Sequence, residues 1–273
     1  MKRKWIRWVS WILLTPIILF VILMVLLYVP PVQNLLRREV TAYASKATGM
    51  QIQVERIDLR FPLNLLVRGV EVIQQPDTLL SLESLNVRVQ AWPLIKGKVE
   101  VDEVTLSRVA VNSADLMEGM KIKGVLGRFF LQSHGVDLSN ELAVINQVEL
   151  SDTHMQLLMN DTTTTPKDTT ASAPINWKVA LHQLKLKNVS FSMQLPADSM
   201  RMTAHIGEAA INDAQADLKN QYYDLKKFLL LGTSASYDTG TAQPTEGFDA
   251  SHIAVRDIRI ALDSLLYKGR DMN

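Results

Sequence analysis

Three patterns of hydrophobic and polar residues divide the chain. The first is an unbroken run, Trp8–Val29, of 22 residues with no charged side chain. As a helix rising about 1.5 Å per residue it spans roughly 33 Å, enough for a hydrocarbon core of about 30 Å. The second pattern places Val32, Leu35, Leu36, Val40, Tyr43, Ala44 and Ala47 at three- and four-residue spacing, with Arg37, Arg38 and Lys46 largely off that stripe. Pro31 opens this segment and Gly49 closes it, so an amphipathic helix is expected over 32–48. It either plugs the end of a following sheet or lies on a lipid surface.

The third pattern begins after Gly49 and persists. Ile52, Val54, Ile57 and Leu59 stand at offsets 0, 2, 5 and 7, and Leu65, Val67, Val70 and Val72 repeat that spacing. Three pairs follow in Val99, Val101, Val104, Leu106, Val109 and Val111, and again in Val179, Leu181, Leu184, Leu186, Val189 and Phe191. Phe248, Ala250, Ile253, Val255, Ile258 and Ile260 do the same, with a looser copy from Ala143 to Met155. A helix scatters these offsets over its whole surface. A flat strand puts the second pair on the opposite face from the first. One extra residue at each two-residue step, a bulge, returns every pair to one face and bends the strand. The alternative is an unbulged strand, apolar on both sides and buried in a sandwich. Polar residues in the gaps, such as Asp102, Glu103, Ser107, Arg108, His182, Gln183, Lys187 and Asn188, favour one wet face and one dry face.

Leu82, Leu85, Val87 and Val89 make a further strand ending at Trp92-Pro93, with 95–98 as a turn. A short helical turn is expected over 113–119, capped by Ser113 or Asp115. Residues 160–174 hold almost no apolar bulk and read as a Thr-rich loop or linker. Residues 201–237 fit either class, and strands are the preferred reading. The chain stops directly after a strand-like Ile258–Tyr267, with no cap for the sheet edge, so it reads as the N-terminal part of a longer protein.

Flanking residues orient the apolar run. Lys2, Arg3, Lys4 and Arg7 precede it, and with fewer basic residues after it the N-terminus is expected in the cytoplasm. Trp5, Trp8 and Trp11 stand at headgroup depth, Phe20 and Tyr28 complete the anchor, and Pro16 is a candidate kink. A cleaved signal peptide is the competing reading, since Ala42-Tyr43-Ala44 has a small-x-small form. The run is too long for a signal core, however, and Pro30, Pro31, Arg37 and Arg38 intervene. The expected organisation is a basic stub and transmembrane helix (1–30), a juxtamembrane helix (31–49), a first β segment (50–159), the linker (160–174) and a second β segment (175–273).

Composition narrows the chemistry. Net charge is +1, and the four basic residues before position 30 leave the remainder slightly acidic. Nothing there resembles the basic stripe nucleic acid requires. With no cysteine, disulfides, thiolate metal sites and thiol nucleophiles are all ruled out. The five histidines, His134, His154, His182, His205 and His252, never recur at helical ligand spacing, and no G-x-S-x-G elbow is present. Gly124-x-x-Gly127 is too short for a phosphate loop. No cofactor, metal or catalytic residue is expected, and the chain does not read as an enzyme. Acid–hydroxyl–small triplets such as Asp161-Thr162-Thr163 and Asp168-Thr169-Thr170 resemble periplasmic O-glycosylation acceptors, making Thr162 and Thr169 candidates; Asx-turn chemistry also accounts for them.

The order of elements carries a resemblance. An apolar helix and a short helix ending Thr48-Gly49 precede MQIQVERIDLRFPLNLLVRGVEV and LLSLESLNVRVQAWPLIKGKVEVDEVTLSRVAVN. Over roughly residues 5–112 this resembles the N-terminal region of AsmA-like proteins, most of all the TamB branch. The resemblance implies a mainly β protein: a transmembrane helix and a short amphipathic helix, then an elongated, curved, bulged antiparallel sheet forming an open groove. It implies a single-pass inner-membrane location with the bulk of the chain in the periplasm, and a phospholipid cargo carried towards the outer membrane. It also implies a possible outer-membrane barrel partner, the alternative function being a translocation and assembly module for barrel proteins. The family's C-terminal, barrel-contacting domain has no counterpart in these residues. The groove-lining candidates are Ile52, Val54, Ile57, Leu59, Val70, Val72, Val99, Val101, Val104, Leu106, Val109, Val111, Leu184, Leu186, Val189, Phe191, Ile253, Val255, Ile258 and Ile260. A closed, structural β-domain remains the third reading.

Overall fold

The structure, a computed structural model, describes residues 29–95, 100–114, 116, 119–137, 141–159, 176–240, 247 and 249–268. The anchor residues, the basic residues at positions 2, 3, 4 and 7, Val99, Thr162 and Thr169 lie outside the described residues. No helix among those described is long and apolar enough to cross a membrane.

Helix α1 (Pro30–Thr48) leads into β1 (Gln51–Arg60), β2 (Asn64–Gln74) and β3 (Asp77–Val89). A one-turn helix α2 (Ala91–Ile95) precedes β4 (Val101–Asn112), β5 (Met120–Asp137) and β6 (Leu142–Met159). Then come β7 (Lys178–Leu195), β8 (Met200–Asp217), β9 (Tyr222–Thr239), β10 (His252–Leu262) and β11 (Leu265–Lys268). All belong to one open, curved 11-stranded sheet in the order β1 to β10, with β11 also pairing with β9. The strand reading of 201–237 is therefore what the fold contains.

Several expectations are corrected. The sheet is not wholly antiparallel: β6 and β7 run parallel, Ala143 opposite Val179 and Thr153 opposite Val189. The apolar spacing 0, 2, 5, 7 reads the same in both directions, so it could not distinguish the two orientations. Strand β7 begins beside the start of β6, Lys178 opposite Leu142, as a parallel pair requires. Ser113 closes the β4–β5 connection: its amide donates to the Ile122 carbonyl (2.8 Å), and its hydroxyl accepts from the Ile122 amide (2.8 Å). The short helical turn expected over 113–119 lies partly outside the described residues. The strand expected to reach Trp92-Pro93 ends at Val89, and α2 takes up Ala91–Ile95; the turn expected over 95–98 falls almost wholly outside the described residues. The strand expected over 258–267 breaks at Asp263–Ser264.

The bends take a different form from the expected bulge. Positive φ occurs at Gly69, Arg108, Asp152, Asn188, Gly232 and Asp257, each the second residue of a two-residue step. From β1 to β9 these bends line up, Arg108 falling between the pairs Ser107–Arg128 and Val109–Leu126 with no change of register. Asp152 and Asn188 likewise fall between matched pairs on β6 and β7. Along this line no strand from β1 to β9 carries an extra residue against its neighbour; the register shifts lie elsewhere, between Val72 and Ile73, between Arg88 and Val89, and around Ser133. Only at β10 does the bend slip, with register shifts between Val255, Ile258 and Ile260.

Helix α1 covers the free edge of β1. Gln33 Nε2 donates to the Leu59 carbonyl (2.9 Å), Arg37 Nη1 donates to the Val54 carbonyl (3.0 Å), and Ser45 Oγ accepts from the Ile52 amide (3.1 Å). Edge groups that would recruit another strand are thereby satisfied. Gly49, at φ 70°, ends the helix and lets the chain turn into β1.

Candidate functional site

Cross-strand pairing converts the sequence pattern into rows, because residues opposite one another project from the same face. One row runs Leu59, Leu65, Val87, Val104, Leu131, Val148, Leu184, Ile211, Phe228. The next runs Ile57, Val67, Leu85, Leu106, Phe129, Leu150, Leu186, Ala209, Leu230. Beyond the line of bends come Val54, Val70, Leu82, Val109, Leu126, Thr153, Val189, Ile206, and then Ile52, Val72, Leu80, Val111, Gly124, Met155, Phe191, Ala204. No charged residue interrupts any of the four.

The bend explains why both pairs of rows share a face. At each bend two successive residues turn to the wet side: Ser107 and Arg108, Lys187 and Asn188. Arg108 pairs there with Glu83, and Asn188 donates to Asp152 Oδ1 at 2.8 Å. Residues that alternate with the apolar rows include paired polar groups, beside the apolar Leu66, Val125, Phe130 and Leu229. Lys185 sits 3.7 Å from Glu149, and Ser190 Oγ lies 2.9 Å from His205 Nδ1. Within these rows Ile57 and Ala209 on one side of the bend line, and Val54, Leu82 and Thr153 on the other, are buried.

This apolar face is only half covered. None of the described large side chains is fully buried, and on the fourth row Val111, Met155, Phe191 and Val255 are 40, 44, 39 and 46% exposed. A β-sandwich of this size would bury such residues against a second layer. No second sheet is present among the described residues.

The sequence candidates are therefore brought together almost completely. Val101 is the exception among the described ones: it pairs with Val89 at a register irregularity, and its carbonyl accepts a hydrogen bond from Ser133 Oγ. Ile253 lies opposite Tyr237, Val255 opposite Ala235, Ile258 opposite Thr233 and Ile260 opposite Leu230, so β10 continues the face with its bend displaced by one row. The lining residues named from the sequence include none from β3, β5, β6, β8 or β9, and the motif itself went unread on β5 and β8. There Gly124 and Ala204 occupy the first position of the motif, and Ala209 a third, which weakens the hydrophobic signal while preserving the spacing. Sequence reasoning also missed the row Ile122, Leu157, Met193, Met202, Tyr237.

Among the described residues, no group of three or more His, Asp or Glu side chains is arranged to hold a metal ion. No family model matches the chain, and no curated protein matches it significantly by sequence.

Proposed function

We propose that this is an inner-membrane-anchored periplasmic protein of AsmA-like type whose apolar face is a groove for phospholipid acyl chains. In this reading it is part of a bridge carrying lipid between inner and outer membranes for outer-membrane biogenesis. It is not an enzyme. The observation that carries the proposal is the set of uncharged apolar rows, continuous across nine strands and left without a covering layer. An acyl chain gains about 0.8 kcal/mol per methylene buried, so roughly 10 kcal/mol for some sixteen carbons. With neighbouring strands about 4.8 Å apart, nine strands give a path of roughly 38 Å. Equivalent rows repeat from strand to strand, so a chain sliding along them meets similar contacts throughout. The lipid headgroup has no charged partner on this face and stays in water at its margin.

The test is photo-crosslinking in the membrane-bound protein, with probes at Val109 and Val189 and outward controls at Lys185 and Lys187. Phospholipid adducts at the first pair alone are the expected result. Adducts only within the chain at Val109 and Val189 would mean a packed core and would end the lipid reading.

A second reading, promotion of barrel-protein insertion or secretion, draws on the other end of the sheet. Among the described residues β10 and β11 pair only with β9, and Val255, Ile260, Leu262, Leu265 and Tyr267 are exposed. Such an edge suits pairing with a client strand. Depletion that lowers barrel-protein levels while leaving lipid flux unchanged would favour it.

A further inference from the structure

The two ends of the strands differ in a way the groove does not require. At one end of β1–β4, the β1–β2 turn presents Phe61, 85% exposed, and α2 presents Trp92, 71% exposed. The Val89 amide donates to the Leu63 carbonyl at 2.9 Å, so the loop carrying Phe61 abuts the end of β3, from which α2 follows. Arg60, the last residue of β1, is exposed beside Phe61. At the opposite end of the same strands the connections are Gln74-Gln75-Pro76-Asp77 and the turn around Ser113, where Leu116 is the exposed apolar residue.

Helix α1 sets which end adjoins the apolar run. It lies along β1 with Gln33 at Leu59 and Ser45 at Ile52, so its N-terminus is at the Phe61 end. Val29, the N-cap of α1 and last residue of the uncharged run, precedes Gln33 by one helical turn, about 6 Å. An exposed Phe and Trp, with the basic Arg60 next to Phe61 and placed where the chain leaves that run, match the chemistry of a bilayer interface. Aromatic rings favour the headgroup level, and Arg and Lys favour anionic phosphates.

We infer that the Phe61 and Trp92 corner is a docking surface for the bilayer that holds residues 8–29. It seats the β1 end of the sheet against the lipid surface. This rests on the membrane-anchored reading above, and it makes the corner the point where a lipid leaving the bilayer meets the apolar rows.

The absence of native cysteine makes the test clean. Single-cysteine variants Phe61→Cys, Trp92→Cys, Leu116→Cys, Asn220→Cys and Phe20→Cys of the full chain are labelled with an environment-sensitive fluorophore. Each is reconstituted in phosphatidylethanolamine–phosphatidylglycerol vesicles containing a headgroup-depth spin-labelled lipid as quencher. Labels at 61 and 92 are expected to be quenched about twofold or more relative to those at 116 and 220, with the label at 20 also protected from water. A buried label at 20 with 61 and 92 no more quenched than 116 would overturn the docking surface and leave the anchor standing. Equal quenching at 116 or 220 would overturn its confinement to this corner. An unprotected label at 20 would remove the anchor, and the inference with it.

Discussion

Gly207 on β8 and Gly232 on β9 meet in the line of bends, where a Cβ on Gly207 would stand 2.9 Å from the Gly232 carbonyl oxygen. The two glycines serve different needs. Gly207 provides clearance from backbone, whereas Gly232 sits at φ 57° with no atom closer than 4.0 Å to a Cβ. Gly207→Ala is expected to cost about 2–3 kcal/mol because backbone must move, and Gly232→Ala about 1 kcal/mol from conformational strain alone. Urea denaturation of the two variants checks the order. Gly127, whose added Cβ would lie 2.9 Å from the Asp152 carbonyl oxygen, should follow Gly207.

Arg108 occupies the same bend on β4 with φ 46°. A β-branched residue tolerates that conformation poorly, and the side chain itself is exposed with only a surface ion pair to lose. Arg108→Val is therefore expected to be about 1–2 kcal/mol less stable than Arg108→Gly. Equal stabilities would show that the bend relaxes without cost.

Truncations on the apolar face discriminate an open face from a closed core. Leu186 is half-buried between Leu150 and Ala209. Leu186→Ala should cost about 1 kcal/mol, well below the 2–5 kcal/mol typical of a closed core. A loss in the core range, measured by denaturation, would mean that a layer covers this face.

Arg37 links α1 to the edge of β1 by its charge-assisted bond to the Val54 carbonyl. Arg37→Ala is expected to cost about 1.5–3 kcal/mol and to speed exchange of the Ile52 amide, which the same helix holds through Ser45. Hydrogen exchange followed by mass spectrometry on the 50–60 peptide reports it directly. The uncovered edge should also raise self-association in light scattering.

The β8–β9 turn carries a pH response. The Asn220 backbone amide, then its side chain and Lys178, hold the Asp217 carboxyl below the usual carboxylate range. A depressed folded-state pKa adds stability that is complete above the unfolded-state pKa and is lost as pH falls through the folded value. The turn should therefore be unchanged from neutral pH down to the ordinary Asp range and loosen only below it. NMR titration of the Asn220 amide checks this, and Asp217→Asn should abolish the response.

Hydrophobic spacing alone determined that the chain after Gly49 consists of bent strands with one apolar face, because a pair–gap–pair rhythm has no helical solution. It also located the bends, expected as bulges at the two-residue steps, and the helix expected over 32–48, which runs Pro30–Thr48. Orientation lay beyond it: the palindromic spacing pairs equally well either way, and only the assembled sheet set β6 parallel to β7. The same holds for the bends. A strand read singly needs an extra residue to keep its face, whereas in the sheet the neighbours from β1 to β9 keep their register across the line of bends. Whether Leu106, Val109, Leu186 and Val189 would be covered was likewise a tertiary matter, since burial depends on a second layer, and among the described residues none is there.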